Sequence, residues 1–359
     1  MSKKLLFVVG ARPNFIKLAP LCSTIKKTSG LDFKIVHTGQ HYDQSMSDIF
    51  FDELEIPKPD FHLNIGSGSH AWQTGKIMVE LEKLCMEHRF SAMVVIGDVN
   101  STLAGALVAS KLNLPVVHIE SGLRSFNRKM PEEINRIATD HISDLLFAPT
   151  RLAMRNLEDE GLAKRSYFSG DVMFDMILMG QELAEKKNSI LQKLKLKPYN
   201  YYLGTLHRPY NVDKASQLQE IMSAFSHLDK KVLLSVHPRL KKNLDQFKII
   251  MGKNIMLKDP VGYLDFITLE KNAAKVITDS GGVQKEAFFL KRPCVTLRPE
   301  TEWMETVEAG ANILIKERTE QAILEGIEGE KTAKFEEKPY GDGHASTFII
   351  STIKEKLLS

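Results

Sequence analysis

The chain has 359 residues, more than the roughly 250–300 at which one hydrophobic core stops growing, so two domains with a ligand cleft between them are expected. With 43% apolar and 26% charged residues it is neither disordered nor fibrous, and a net charge of +3 with scattered lysines offers no basic track for nucleic acid. No run of about 18 apolar residues is present to span a membrane, and Cys22, Cys85 and Cys294 show neither CxxC spacing nor a disulfide framework, which suits a reducing cytoplasm.

Lys3 and Lys4 ahead of an apolar run imitate a signal peptide, but residues 5–9 are too few before Gly-Ala-Arg-Pro, and a buried first strand is expected. Apolar runs at 33–37, 92–96, 116–119 and 145–148 alternate with helix-patterned segments, the pattern of a parallel, doubly wound α/β domain. Residues 166–171 and a charged, helix-like stretch at 182–197 mark the boundary, giving a first domain at 1–170 and a second at 171–344. Strands of the second are expected at 201–205, 231–236, 255–257, 275–278 and 294–297. A loop with two glycines at 340–346 precedes an amphipathic segment, and a helix within 345–359 is expected to pack back on the first domain. No repeat or low-complexity tract interrupts this layout.

Ligand groups in open α/β sheets gather beyond the carboxyl ends of the strands. After the first strand, Gly10-Ala11-Arg12-Pro13-Asn14-Phe15-Ile16-Lys17 opens a helix with two cations, Arg12 and Lys17, suited to phosphate or carboxylate. It is neither a GxGxxG turn nor a GxxxxGK[ST] loop, which removes support for nicotinamide or ATP. Thr38-Gly39-Gln40-His41-Tyr42-Asp43 either reaches the cleft or caps a helix, and Asp98 either caps the helix after Gly97 or serves as acid or base. Glu120 follows the fourth strand, and Pro131-Glu132-Glu133 is either an ordinary acidic helix start or the source of a further catalytic carboxylate. Crowded, buried carboxylates raise one another's proton affinity, so such a group can hold one acid and one base near neutrality.

In the second half, His207-Arg208-Pro209 and His237-Pro238-Arg239 follow successive strands, and with no HExxH, close His pair or Cys/His cluster no catalytic metal is expected. Thr278-Asp279-Ser280-Gly281-Gly282 turns from a strand into a helix whose free backbone N–H groups suit a pyrophosphate. Glu286, one turn on, either accepts from ribose hydroxyls or is a capping-box acid, and Arg298 is a candidate second phosphate contact.

In order, GARPNFIKLAP, TGQHYD, GDVNST, HIESGLRS with MPEEINR, TLHRPYNVD, and TDSGGVQKEA with TLRPETEW resemble the non-hydrolysing UDP-N-acetylglucosamine 2-epimerases over nearly the whole length. The resemblance implies two Rossmann-like domains in a glycosyltransferase-B-like fold, a homodimer, and a UDP-sugar held mainly by the second domain. It also implies a cofactor-free reaction in which UDP is eliminated with the C2 proton to leave 2-acetamidoglucal and is added back with C2 inverted. Asp98, Glu120, Glu132 and His207 match the family's catalytic group, with Arg12 and Lys17 beside the pyrophosphate or reacting sugar. Ser280, Gly281, Gly282 and Glu286 match its UDP site, with Arg136 and His237 as neighbours. Gln40 and His41 match positions that in some bacterial members bind a second, activating UDP-N-acetylglucosamine. Asn14, Pro209 and Tyr210 depart from the family's Gly-Thr-Arg-Pro-Glu and Gly-His-Arg-Arg-Glu, and residues 291–303 look like relatives that epimerise UDP-2,3-diacetamido-sugar uronates. A hydrolysing branch, releasing UDP and N-acetylmannosamine, begins with the same residues.

Overall fold

Strands covered on both faces read as unbroken apolar runs, and in this chain those runs become the centres of two parallel sheets. The computed structural model describes residues 3–40, 53–187, 189–329 and 332–358, apart from the side chains of Arg12, Pro13 and Lys187. Contacts divide the chain into one unit of Met1–Met179 with Pro339–Ser359 and a second of Gly180–Lys338.

In the first unit, β1 (Lys3–Val9), β2 (Leu31–His37), β3 (Phe61–His62), β4 (Ala92–Ile96), β5 (Val116–Ile119), β6 (Leu145–Ala148) and β7 (Ser166–Phe168) run parallel in the order β3-β2-β1-β4-β5-β6-β7. Parallel neighbours need crossovers, and helices supply them: α1 (Arg12–Lys26) after β1, α2 (His70–Glu87) before β4, α3 (Asn100–Lys111) after β4, α4 (Pro131–Ile142) after β5 and α5 (Arg151–Asp159) after β6. Leu6, Val8, Val36, Met93, Val95 and Val116 pack against Leu81, Ala106 and Ala109 to form one face of the core. Each fully buried aliphatic chain of this kind stabilises the unit by about 1.5–3 kcal/mol before entropy is counted.

After β7, helix α6 (Val172–Lys187) begins in the first unit, and the change of unit falls inside it, between Met179 and Gly180. The second unit continues with α7 (Ile190–Lys193) and then β8 (Tyr201–Leu206), β9 (Lys231–Val236), β10 (Ile255–Lys258), β11 (Lys275–Thr278), β12 (Cys294–Thr296) and β13 (Asn312–Leu314). They run parallel in the order β10-β9-β8-β11-β12-β13. Helices α8 (Pro209–Val212), α9 (Ala215–Ser226), α10 (Pro238–Gln246), α11 (Tyr263–Lys271), α12 (Gly281–Phe289), α13 (Met304–Glu308) and α14 (Glu320–Glu328) connect them. Helix α15 (Ala345–Leu357) returns to the first unit, where Asp175 accepts from the N–H groups of Ala345 at 3.0 Å and Ser346 at 2.7 Å and so fixes its start.

The short strands β3, β7 and β13 lie outside the expected set. All three are sheet edges with half-exposed residues, so they lack the unbroken apolar run that marks a central strand. Residues 166–168, expected as part of the linker, instead add β7 to the first sheet. Among the described residues no helix is long and apolar enough to cross a membrane.

Candidate active site

Both sheets reverse their winding beside their first strand, between β1 and β4 in one unit and between β8 and β11 in the other. The carboxyl ends at such a reversal are where open α/β sheets bind ligands. Each unit therefore has one edge on which its chemistry converges.

At the first edge, Asn14 is buried and ties two strand ends together. Its Oδ1 accepts from the backbone N–H of Gly10 at 3.3 Å and Ala11 at 3.1 Å, and its Nδ2 donates to the Ile96 carbonyl at 3.0 Å. Lys17, one turn further along α1, forms an ion pair with Glu120, each side chain only 11% exposed. Gly97 passes directly below this pair in a left-handed conformation (φ +71°), and a Cβ there would lie 3.4 Å from Glu120 Oε2 and 3.9 Å from Lys17 Nζ. Glycine meets both demands at once.

Asp98 does not cap the next helix, whose N-cap is Val99 with no side-chain cap bond. Its Oδ2 instead accepts from Arg136 Nε at 3.0 Å and Nη2 at 2.6 Å, while Asn135 Nδ2 donates to the Asp98 carbonyl at 2.8 Å. Arg136, expected as a neighbour of the nucleotide, thus lies in the first unit between Asp98 and Glu133, to which its Nη1 donates at 2.9 Å. The two adjacent acids of α4 separate in role. Glu133 is buried and accepts from the N–H groups of Ser125 at 2.8 Å and Phe126 at 2.9 Å, anchoring the loop before α4. Burial alone would push its carboxyl up, but these bonds and Arg136 hold it below the usual range. Glu132 is half-buried on the first turn, with no hydrogen bond or ion pair among the described residues.

Gln40 is 6% exposed, and its Oε1 accepts from Ser101 N at 3.0 Å and Ser101 Oγ at 2.7 Å, which braces the end of β2 against α3. His41 and the Arg12 side chain lie outside the described residues and side chains.

At the second edge, Asp279 is the organising group, although the sequence does not single it out. Fully buried, it accepts from the backbone N–H groups of His207 (3.0 Å) and Arg208 (2.9 Å) and from Asn211 Nδ2 (3.0 Å). Its Oδ1 also lies 2.9 Å from His207 Nδ1. Burial would raise its proton affinity, but these donors hold the carboxyl below the ordinary range. An ionised Asp279 fixes the tautomer with hydrogen on Nδ1, on a side chain 43% exposed. One signal does point to it: an acid directly after β11 sits next to the end of β8, where His207 emerges.

Ser280 caps α12, its Oγ accepting from Val283 N at 3.5 Å. A Cβ on Gly281 would come within 2.5 Å of Glu302 Oε1, but that is the end of a flexible side chain 47% exposed and able to move aside, so packing alone does not require glycine there. At Gly282 a Cβ would meet nothing of the protein nearer than Ser280 Oγ at 4.0 Å, and the backbone is not left-handed, so the fold itself does not require glycine. Arg298 pairs through Nη2 with Glu302 at 2.9 Å, whereas its Nε and Nη1 are buried without an acceptor.

The capping-box alternative for Glu286 fails: with Ser280 as N-cap the box position is Val283, and Glu286 lies a turn beyond, 8% exposed. On the neighbouring α11, Glu270 is fully buried with neither carboxyl oxygen bonded, and burial followed by the charge of Glu286 pushes its carboxyl well up. His237 is exposed at the start of α10, where its Nδ1 accepts from Arg239 N at 3.4 Å.

Two doubly wound parallel sheets, one edged by paired carboxylates and the other by a glycine turn with unused cationic donors, define a two-domain α/β protein of the nucleotide-binding class. The family model described as UDP-N-acetylglucosamine 2-epimerase matches residues 23–354, and the chain belongs to that family. It is 49% identical, over 98% of its length and 99% of the relative's, to a UDP-N-acetylglucosamine 2-epimerase homolog of Methanococcus maripaludis. It is 43% identical, over 96% of its length and 98% of the relative's, to the UDP-2,3-diacetamido-2,3-dideoxy-D-glucuronate 2-epimerase of Pseudomonas aeruginosa. The crystal structure of Methanocaldococcus jannaschii UDP-GlcNAc 2-epimerase with UDP-GlcNAc and UDP matches with a TM-score of 0.83 at 43% identity, covering 98% of this chain and 99% of that one. Phytolacca americana UGT2, solved with UDP-2-fluoro-glucose, shares the fold at 10% identity and a TM-score of 0.62, which is the glycosyltransferase-B likeness.

Proposed function

We propose that the protein reversibly inverts C2 of UDP-N-acetylglucosamine to give UDP-N-acetylmannosamine. A carboxylate removes the C2 proton, its bonding pair becomes the C1–C2 double bond, and the C1–O pair leaves with UDP. Return of a proton to the opposite face of C2 and of UDP to C1 completes the inversion. No electrons are exchanged with a redox partner and no hydride moves, so the scheme calls for neither nicotinamide nor metal.

The observation that carries this reading is the group of carboxylates Asp98, Glu120 and Glu132 along one sheet edge, two of them backed by cations, Arg136 and Lys17. The cations hold these two carboxylates in place, and Glu132, without such a pairing among the described residues, is the group left for the opposite proton transfer. Arg12 and Lys17 stand beside the departing pyrophosphate or reacting sugar. In the second unit, Ser280, Gly281 and Gly282 receive the phosphates, Glu286 holds the ribose, and Arg298 offers two vacant donors to the anion. The open space at Gly282 supports close approach of a ligand to the backbone. His207, oriented by Asp279, presents Nε2 toward the reacting sugar. His237 and Arg136 flank the substrate, and Gln40 with His41 forms the activating site of the family's bacterial members.

A second reading, epimerisation of a UDP-2,3-diacetamido-sugar uronate, is supported by a further cation in the second unit: beyond Arg298, Arg318 carries a buried Nε–H without an acceptor among the described residues. We place the enzyme in the cytoplasm as a homodimer, a setting that suits its free thiols Cys22, Cys85 and Cys294 and the family resemblance. Measuring kcat/KM on both UDP-sugars decides the substrate. A preference for UDP-N-acetylglucosamine supports the first reading, a preference for the uronate replaces it with the second, and release of free N-acetylmannosamine with UDP assigns the hydrolysing reaction instead.

A further inference from the structure

We propose that His118 is a positioning residue for the acid/base carboxylates, a buried ring that pins the Gly97 carbonyl and so holds the turn carrying Asp98. The proposal rests on the epimerase reading above. His118 lies in β5 with no exposed surface. Its Nε2 is 2.8 Å from the Gly97 carbonyl oxygen and its Nδ1 is 2.6 Å from Asp140 Oδ1. A carbonyl oxygen only accepts. Asp140 also accepts here: burial pushes its carboxyl up, but His118 and Arg124 outweigh burial and hold it below the ordinary range. The Nε2 nitrogen therefore carries hydrogen and donates to Gly97, while Nδ1 ties the ring to Asp140.

A histidine that merely filled the strand would need one such partner. The second bond is instead spent on the residue before Asp98. The other carbonyls of that turn are held by neutral donors, Ile96 by Asn14 at 3.0 Å and Thr102 at 2.9 Å, and Asp98 by Asn135 at 2.8 Å. Gly97 alone is held by a ring that is itself anchored, through Nδ1, to Asp140.

The same node reaches the second turn. Asp140 Oδ2 accepts from the Gly122 N–H at 3.0 Å and from Arg124 Nη1 at 2.7 Å, and Arg124 continues to Glu160 through Nε and Nη2, both at 2.7 Å. Gly97 (φ +71°), Glu120 (φ +72°) and Gly122 (φ +79°) are all left-handed. Glu120 holds that conformation without glycine's freedom, and such strain persists only where the surroundings over-determine it. His118 is two residues before Glu120 and braces both turns from below, touching neither carboxylate.

Loss of the ring frees the Gly97 peptide and displaces the two carboxylates while leaving the nucleotide residues of the second unit as they are. His118→Ala is expected to lower kcat about 100-fold, the effect of roughly 1 Å of misplacement, with KM and calorimetric UDP affinity near wild type. The double variant His118→Gln with Asp140→Asn restores an uncharged chain from residue 140 through residue 118 to the Gly97 carbonyl, and is expected to recover most of that kcat. Nitrogen-15 NMR of the histidine-labelled wild-type protein is expected to show hydrogen on His118 Nε2, the atom that donates to Gly97. Wild-type kcat in His118→Ala, equal losses of kcat and UDP affinity, no recovery in the folded double variant, or a bare Nε2 would each overturn the proposal. If neither variant folds, the NMR result decides. A wild-type enzyme inactive on both UDP-sugars would remove the epimerase reading and leave the Nε2 result standing on its own.

Discussion

At the carboxyl end of the first sheet the polar groups are largely engaged within the protein: Asp98 with Arg136, Glu120 with Lys17, Glu133 with the 125–126 loop, and Gln40 with Ser101. At the end of the second, Arg298 keeps Nε and Nη1 without acceptors, Gly282 faces open space and His207 is 43% exposed. The first edge is organised before any ligand arrives, as proton transfer demands, because a base must be held at a fixed distance and ionisation state. The second keeps buried donors that, on the proposed reading, an anion would meet. One topology thus supports two kinds of site, and the difference lies in which donors the fold leaves unused.

The sharpest way to break this contrast is to remove a charge from the first edge. Asp98→Asn is expected to cut kcat by about 10²–10⁴ while isothermal calorimetry shows unchanged UDP affinity; a parallel loss of affinity would mean that the two edges do not divide the work. At the second edge, Glu286→Ala or Arg298→Ala is expected to weaken UDP binding about ten- to hundredfold, the value of one or two hydrogen bonds to a charged group. Either change should leave the fold of the first unit intact by circular dichroism.

A smaller effect separates the units by stability. Glu270 costs the second unit free energy at neutral pH because its carboxyl is raised by burial and by Glu286. That cost is absent below the ordinary glutamate range near about pH 4 and grows as pH rises above it. Glu270→Met should therefore stabilise the protein at pH 7–8 by about 1–3 kcal/mol, the cost of an unsatisfied buried polar group, in thermal or urea unfolding. Asp279, Glu133 and Asp140 act in the opposite sense. Held low in the native state, they contribute stability that is complete above about pH 4 and is lost as pH falls through their native values. Asp279→Asn should flatten the acid limb of a melting-temperature profile, and an unchanged limb would show that Asp279 is not held low.

Most of the fold was legible because central strands announce themselves: the runs at 92–96, 116–119, 145–148, 231–236 and 275–278 coincide with β4, β5, β6, β9 and β11. Edge strands did not, since Phe61–His62 and Ser166–Phe168 bury too little to leave a pattern. Candidate site residues were legible by position, immediately beyond the apolar runs, and that rule reaches Lys17, Asp98 and Ser280 at strand ends and helix starts. Their partners were harder to read. Nothing local tells Glu132 from Glu133, yet one is buried under a loop and the other is not, because only the fold decides which face of α4 meets residues 125–126. Asp279 was hidden by its position beside the more conspicuous Ser280-Gly281-Gly282. Its role depends on β8 and β11 being neighbours, a fact of topology that no spacing in the chain encodes.

The most direct test is to incubate the purified protein with UDP-N-acetylglucosamine in deuterium oxide, with no added cofactor, and to follow products and C2 deuteration by proton NMR. The expected result is a mixture of the two UDP-sugars, deuterated at C2, with UDP still attached. Epimerisation that retained the C2 hydrogen, or no reaction with either UDP-sugar, would contradict a first unit built for proton exchange and a second built to hold the nucleotide.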